Sequence, residues 1–337
     1  MKMIKAIKKY PEMCLDAIEL VKKTDIPDYK FDKIIICGMG ASIISGNLLK
    51  DLLRNEIPIM IEVSNEYKLP AYIDENTLVF CMSYSGNTEE TLSQFVDAVK
   101  RKCKIIGITS DGKLKEWCEK LSIPLIQLPE GYQPRATLPY QFFIMLACLQ
   151  KFKLINKREE IEETIQALKS IKTEEFKEIS LSLKDSHPVV YGFGIFSAVA
   201  KRFKDQFNEN SKVPARYNVF PELNHNEIVG YENGSLNKNS FIILLRDKDE
   251  PEEIRVRIET TKELIKDRVK GVKDIFALGK SKLAKMMSLL FIGDYLSYEL
   301  SILNKVDPEQ TENIAILKKT LKEKLNLVEK LEKKLSF

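Results

Sequence analysis

Residues 77–92 read TLVFCMSYSGNTEETL, and the change of character at Ser83 decides the fold. The first six residues are apolar or β-branched without alternation, as in a strand covered on both faces. Ser83-Tyr84-Ser85-Gly86-Asn87-Thr88 then forms a hydroxyl-rich turn that opens a helix at Glu89. A strand, a polar turn and a helix in that order belong to a parallel α/β sheet. Working outward, IIIC (34–37), IPIMIEV (57–63), KIIGIT (104–109) and SIPLIQL (122–128) have the same continuous apolar character. Helices are expected between them at about 43–54, 88–102, 112–121 and 138–152. After Leu154 a Lys/Glu-rich helical stretch runs to about Ser186, and the alternation restarts with PVVYGF (188–193), ARYNVF (215–220), SFIILL (240–245) and VKDIFAL (272–278). The pattern predicts two doubly wound parallel-sheet domains, 1–154 and 155–337, the second ending in a long helix. Ile314, Leu317, Leu321, Leu325, Val328, Leu331 and Leu335 recur along that helix every three or four positions and read as a packing surface. IIICGMGAS (34–42) and PVVYGFGIF (188–196) overlay at an offset of 154 residues, which points to an internal duplication.

Composition supports this division. The chain has 337 residues, enough for two domains, with 44% hydrophobic and 30% charged residues. Lys plus Arg number 53 against 49 Asp plus Glu, interleaved throughout, so no nucleic-acid partner is indicated. All six cysteines precede residue 150 without a CxxC pair and read as free thiols. With only His187 and His225, a Cys/His zinc site is not expected. Apolar runs such as FFIMLACL (142–149) fall short of the roughly 18 to 20 residues that span a bilayer. The start, MKMIKAIKKYPEMC, lacks the apolar core of a signal peptide, so a soluble cytoplasmic protein with no membrane partner is expected.

Two turns carry the chemistry. Gly38-Met39-Gly40, followed by Ala41 and Ser42, stands between strand and helix, where helix N-terminal amides face an anion. Glu62 could serve as the ribose acid of a dinucleotide fold, yet Ile43 stands where such a fold needs its third glycine. Ser83, Ser85 and Thr88 add hydroxyls, and Gly86 allows close backbone approach, which suits the oxygens of a monophosphate. No P-loop lysine follows, so the expected ligand is a phosphomonoester and not a nucleoside triphosphate. The plainer alternative is a Ser/Thr helix cap. In the second domain Phe196 replaces Ser42, and Arg246-Asp247-Lys248-Asp249-Glu250 replaces the hydroxyl loop, with acids that would repel phosphate. Only the first domain is expected to bind it.

GMGAS (38–42), SYSGNTEETL (83–92), PRATLP (134–139), FNENSKVPA (207–215) and FPELNHNE (220–227) together resemble the bifunctional phosphoglucose/phosphomannose isomerase family. That family is built from two flavodoxin-like sugar isomerase (SIS) domains. The resemblance implies interconversion of glucose 6-phosphate or mannose 6-phosphate with fructose 6-phosphate, without metal or cofactor, in a homodimer with active sites at the subunit interface. It implies Glu209 as the base that moves a proton between C1 and C2, and Arg135 as the cation beside the enediolate. By the same resemblance His225, supplied by the partner subunit, and Lys318 open the sugar ring, and Thr311 accompanies mannose 6-phosphate use. Taken alone, Glu209 would read as solvated surface and Arg135 as a loop salt bridge. The family usually has GMGGS where this chain has GMGAS, so Ala41 is expected to tighten the pocket slightly. A non-catalytic sugar-phosphate sensor of the same fold is the alternative. It is disfavoured because no DNA-binding helix-turn-helix or basic face is appended.

Overall fold

The continuous apolar runs become central strands in the computed structural model, which describes residues 3–335. The chain opens with α1 (Met3–Lys8) and α2 (Tyr10–Lys23). Five parallel strands follow, β1 (Lys33–Cys37), β2 (Met60–Ser64), β3 (Thr77–Met82), β4 (Lys104–Thr109) and β5 (Leu125–Gln127), in the order β2-β1-β3-β4-β5. The helices of this unit are α3 (Ala41–Leu53), α4 (Glu89–Lys100), α5 (Lys113–Lys120) and α6 (Leu138–Lys151). Strand order reverses between β1 and β3, the switch point at which open parallel sheets hold ligands. Cys37 pairs in register with Cys81, so the turns that begin at Gly38 and Ser83 leave the sheet side by side. The edge strands are shorter than the sequence pattern suggests: Ile57–Ile59 stay outside β2, and β5 keeps three residues. An edge strand pairs on one side only, so its apolar run outlasts its ladder.

The second unit holds α7 (Arg158–Ser170), α8 (Glu175–Leu183), β6 (His187–Phe193), α9 (Ser197–Glu209), β7 (Arg216–Phe220), α10 (Gly234–Asn237), β8 (Ser240–Arg246), α11 (Glu252–Ile265), β9 (Gly271–Phe276) and α12 (Lys282–Leu303). Its parallel order β7-β6-β8-β9 repeats β2-β1-β3-β4. Gly40 and Gly194, 154 residues apart, both take positive φ (57° and 49°), so the overlay of the two openings extends to the backbone. α12 is long and apolar enough to cross a membrane by length and composition alone, but most of it is buried within the chain's own fold. Its interior also holds Lys285 and Asp294, each paired, as befits a core helix that is apolar on every side.

Contacts group Glu12–Lys157 with the segment from Thr311 onward, and Met3–Pro11 with Arg158–Gln310. The tail therefore packs with the first unit, whereas a division at 154/155 assigns it to the second. The expected long terminal helix breaks at Asn326 (φ 44°) into α13 (Glu312–Leu325) and α14 (Leu327–Glu332). Leu331, 3% exposed, joins Phe95, Trp117 and Cys118 in the first unit's core, with Leu327, Val328 and Leu335 packed around it. The stripe thus packs from Leu327 on. Upstream it does not: α13 buries no residue, and Ile314, Ile316, Leu317 and Leu325 are between 41% and 57% exposed.

Candidate active site

In the first unit the turn after β1 is shaped by Gly40. Gly40 has φ 57° and ψ −122°, and a Cβ there would meet no atom within 4 Å, so the turn faces open space. Ala41 is the first residue of α3 and does not have positive φ. The strained conformation falls on Gly40, so the methyl of Ala41 imposes no backbone penalty and that ground for a tighter pocket disappears. Ser42 is buried behind it, its N–H donating to the Met39 carbonyl at 3.1 Å.

The loop after β3 is fixed by close approach. Gly86 has φ 67°, and a Cβ there would lie 1.7 Å from the Asp111 carbonyl oxygen. Gly86 N–H donates to Ser83 O at 3.0 Å, Leu114 N–H donates to Gly86 O at 3.0 Å, and Asn87 Nδ2 donates to Ser85 O at 2.9 Å. Thr88 occupies the N-cap position of α4 yet makes no side-chain cap bond, and neither does the residue capping α3. Instead the Thr88 and Ser83 hydroxyls pair at 2.8 Å, and Ser85 stands exposed. No side chain thus caps the start of α4, while Ser85 Oγ accepts from the Asn87 N–H at 3.4 Å, within the loop itself. Glu89, next in the chain, has its carboxyl pKa raised by burial and, secondarily, by Glu90.

Arg135 lies on a 3-10 turn, Pro134–Thr137, that runs into α6, and is 5% exposed. A guanidinium keeps its charge in such a place, so Arg135 is a buried cation of the first unit. Thr311 precedes α13 and Lys318 lies two turns along that helix on an exposed face.

In the second unit Glu209 is the last residue of α9, half-buried, and its carbonyl accepts from Lys212 Nζ at 2.6 Å. The residues after it are pinned to α12: Asn210 Nδ2 donates to Ser297 Oγ at 2.9 Å, and Ser211 Oγ donates to Ser297 O at 2.7 Å. Two turns upstream Arg202 clamps Asp294 through Nε at 3.0 Å and Nη2 at 2.8 Å, and the Tyr10 hydroxyl donates to the same carboxylate. Burial, then Asp294, raises the Tyr10 pKa. A carboxylate on so anchored a helix end is not a freely solvated surface group.

His225 ends a 3-10 turn, Glu222–His225, and is exposed. The loop is tied on both sides of it. Leu223 is buried, and Asn224 Nδ2 donates to Thr261 Oγ1 at 2.9 Å. Glu227 accepts from the Tyr191 hydroxyl at 2.7 Å and from Asn218 Nδ2 at 2.5 Å. Tyr191 and Glu227 are supporting residues that sequence reasoning missed. Glu227 stands within FPELNHNE, but Tyr191 is remote in sequence and reads as strand core. His187 starts β6, where its N–H donates to Asn239 O at 2.8 Å.

At the corresponding end of the second sheet the side chains differ. Phe196 is fully buried with its ring 5.2 Å from that of Phe193. Arg246 bonds Glu250, Glu259 and Asp274, and Lys285 Nζ donates to Asp247 at 2.9 Å and Asp249 at 2.8 Å. The acids expected to repel phosphate are thus paired with cations. The chemistry-bearing residues divide between the units, with Gly40, Ala41, Ser42, Ser83, Ser85, Thr88, Arg135, Thr311 and Lys318 in the first and Glu209 and His225 in the second.

A family model described as SIS domain matches residues 29–116, and one described as bacterial phospho-glucose isomerase C-terminal SIS domain matches residues 172–321. A Caldicellulosiruptor bescii protein named bifunctional phosphoglucose/phosphomannose isomerase is 42% identical, over 95% of this chain and 99% of that one. An Aquifex aeolicus protein of the same name is 35% identical, over 88% and 92%. A Sulfolobus acidocaldarius protein named D-glucosamine-6-phosphate 4-epimerase is 34% identical, over 91% and 97%. Among solved structures, the C-terminal domain of glucosamine-fructose-6-phosphate aminotransferase from Francisella tularensis aligns with a TM-score of 0.71 and 18% identity, over 91% of this chain and 98% of that one. At that identity the likeness shows the fold alone. The relatives at 42% and 35% identity extend the agreement to sequence along nearly the whole chain, which belongs to the bifunctional phosphoglucose/phosphomannose isomerase family.

Proposed function

We propose that the protein interconverts glucose 6-phosphate and mannose 6-phosphate with fructose 6-phosphate. The observation that carries this reading is the pair of adjacent turns at the β1/β3 switch point, where neither helix start has a side-chain cap bond and the Ser83 and Thr88 hydroxyls bond each other. Gly40, Ala41, Ser42, Ser83, Ser85 and Thr88 hold the phosphate, which leaves the carbonyl end of the sugar to the reacting groups. Glu209 removes the C2 proton of the open-chain aldose and returns it to C1. The electron pair moves into a cis-enediolate, and the permanent charge of Arg135 stabilises the oxygen anions that form. His225 and Lys318 transfer protons at the ring and C1 oxygens to open the pyranose, histidine being suited by its near-neutral titration. Thr311 lies beside the C2 hydroxyl and admits the mannose configuration. No step requires a metal or an organic cofactor.

His225 acts from the partner subunit of a homodimer. Its exposed position on an anchored loop, the exposed Val229 and Leu236 that follow it, and the bare apolar face of α13 support that reading. Six unpaired thiols suit a reducing cytoplasm. The 34% identity to a protein named as an amino-sugar phosphate epimerase favours one competing reading, epimerisation at C4.

A coupled assay separates the two. Supplied with fructose 6-phosphate, the protein is expected to form glucose 6-phosphate and mannose 6-phosphate, detected separately, and to leave glucosamine 6-phosphate unchanged. Turnover of glucosamine 6-phosphate alone would replace the isomerase reading, and binding without turnover of either fructose 6-phosphate or glucosamine 6-phosphate would leave only a sensor.

A further inference from the structure

Tyr84 takes no part in the chemistry above, yet it stands between Ser83 and Ser85 and reaches across to a second loop. Its hydroxyl donates to the Pro129 carbonyl at 2.9 Å and accepts from the Tyr132 N–H at 3.0 Å. Its own carbonyl accepts from Ser110 N–H at 3.0 Å and from Ser110 Oγ at 2.6 Å, so the backbone end of this strut is fixed as well. Residues 129–132 close a turn at Gly131 (φ 84°), and the chain passes from Tyr132 through Gln133 directly into the 3-10 turn that bears Arg135. Gln133 O accepts from Ala136 N–H at 2.9 Å, and the Tyr132 ring lies 6.2 Å from that of Tyr140 on α6. The chain from Tyr132, held by the Tyr84 hydroxyl, to the backbone of Arg135 is therefore short, with a backbone hydrogen bond at Gln133 O on the way.

We propose that Tyr84 is a positioning residue that couples the phosphate loop to the Arg135 segment, setting the guanidinium at a fixed reach from bound phosphate. This rests on the reading of Arg135 as the cation beside the enediolate. A cation aids the chemical step only when its position is fixed relative to the substrate that the phosphate loop holds. Tyr84 supplies that constraint within one unit. Replacing it by phenylalanine keeps the ring and removes both hydrogen bonds, which frees the 129–133 turn without altering Ser83, Ser85 or Thr88.

The test compares two inhibitors of the full-length protein. Inorganic phosphate probes the phosphate loop alone. A five-carbon hydroxamate bearing a terminal phosphate, whose planar anionic head imitates the enediolate, probes loop and arginine together. For Tyr84→Phe the hydroxamate inhibition constant is expected to rise about tenfold or more, the effect of a misplaced charge-assisted hydrogen bond, with kcat falling in step. The phosphate inhibition constant and the KM should change less than about threefold. Arg135→Gln run in parallel should show the same selective loss. If Arg135→Gln is selective and Tyr84→Phe is not, the coupling is overturned while the role of Arg135 stands. If Tyr84→Phe weakens both inhibitors equally, the tyrosine merely supports the phosphate loop and the proposal fails. If Arg135→Gln leaves the hydroxamate unaffected, the reading of Arg135 falls and takes this inference with it.

Discussion

Ser85 and Glu209 are both polar groups at the edge of a helix, and their surroundings separate their roles. Ser85 is exposed on a closely packed loop, where a Cβ at Gly86 would clash with the Asp111 carbonyl and one at Gly112 with Ser85 O. A handle of this kind binds ground and transition states alike. Ser85→Ala combined with Thr88→Ala is therefore expected to raise KM by about one to two powers of ten per lost charge-assisted hydrogen bond, with a much smaller change in kcat. Steady-state kinetics on fructose 6-phosphate measures this, and an unchanged KM would move the phosphate elsewhere. Glu209, in the proposed mechanism, acts on the reaction itself. Glu209→Gln keeps the shape but cannot take a proton, so kcat should fall at least about a hundredfold, the low end of a general-base contribution, while sugar-phosphate binding measured by calorimetry persists. A variant retaining more than about a hundredth of the activity would remove Glu209 from the role of base.

Continuous apolar runs were enough to read β1, β3, β4 and β8, because a strand buried on both faces leaves that pattern and little else. The same rule overextends at β2 and β5, where pairing ends before the apolar run does. α12 escaped the reading for a related reason: a helix buried all round has no apolar stripe, so no period of 3.6 marks it. The break at Asn326 was hidden because Leu321, Leu325 and Val328 keep helical spacing straight through a left-handed residue, which asparagine tolerates. Within the site, Ser83, Ser85, Thr88 and Gly40 could be read from local chemistry. The partners that hold Tyr84 and Glu227 could not, since Pro129, Tyr132 and Tyr191 are tens of residues away. The tail's place in the first unit has a direct consequence. Leu331→Ala should destabilise that unit by about 2–5 kcal/mol, the cost of truncating a core leucine. The chain's single tryptophan, Trp117, lies in the same core, so its fluorescence during urea unfolding reports the loss. The same truncation at Leu181 of α8, 60% exposed, should cost no more than about 0.5 kcal/mol. Equal effects at both positions would detach the tail from that core.

In the proposed mechanism neither unit alone carries every reacting group: Arg135 and the turns at Gly38 and Ser83 belong to the first, Glu209 and His225 to the second. His225 is the group whose surroundings look outward, since Asn224 and Glu227 are held by the chain's own side chains while the imidazole between them is exposed. If it serves the partner's site, no subunit works alone. Glu209→Gln and His225→Ala homodimers should then each be nearly inactive, because every site carries one lesion. In a mixed dimer with the histidine supplied in trans, one site collects both lesions and the other collects none. With the histidine supplied in cis, each site keeps one lesion and no site is intact. Random reassortment of equal amounts gives about half mixed dimers, each with one good site of two, hence roughly a quarter of wild-type activity for a closed two-fold assembly. Subunit exchange has to be established separately by native mass spectrometry of the unequal-mass pair. With exchange established, recovery of about a quarter of the activity supports the trans arrangement. Activity no higher than the sum of the two parents would return His225 to its own subunit's site or remove it from the chemistry.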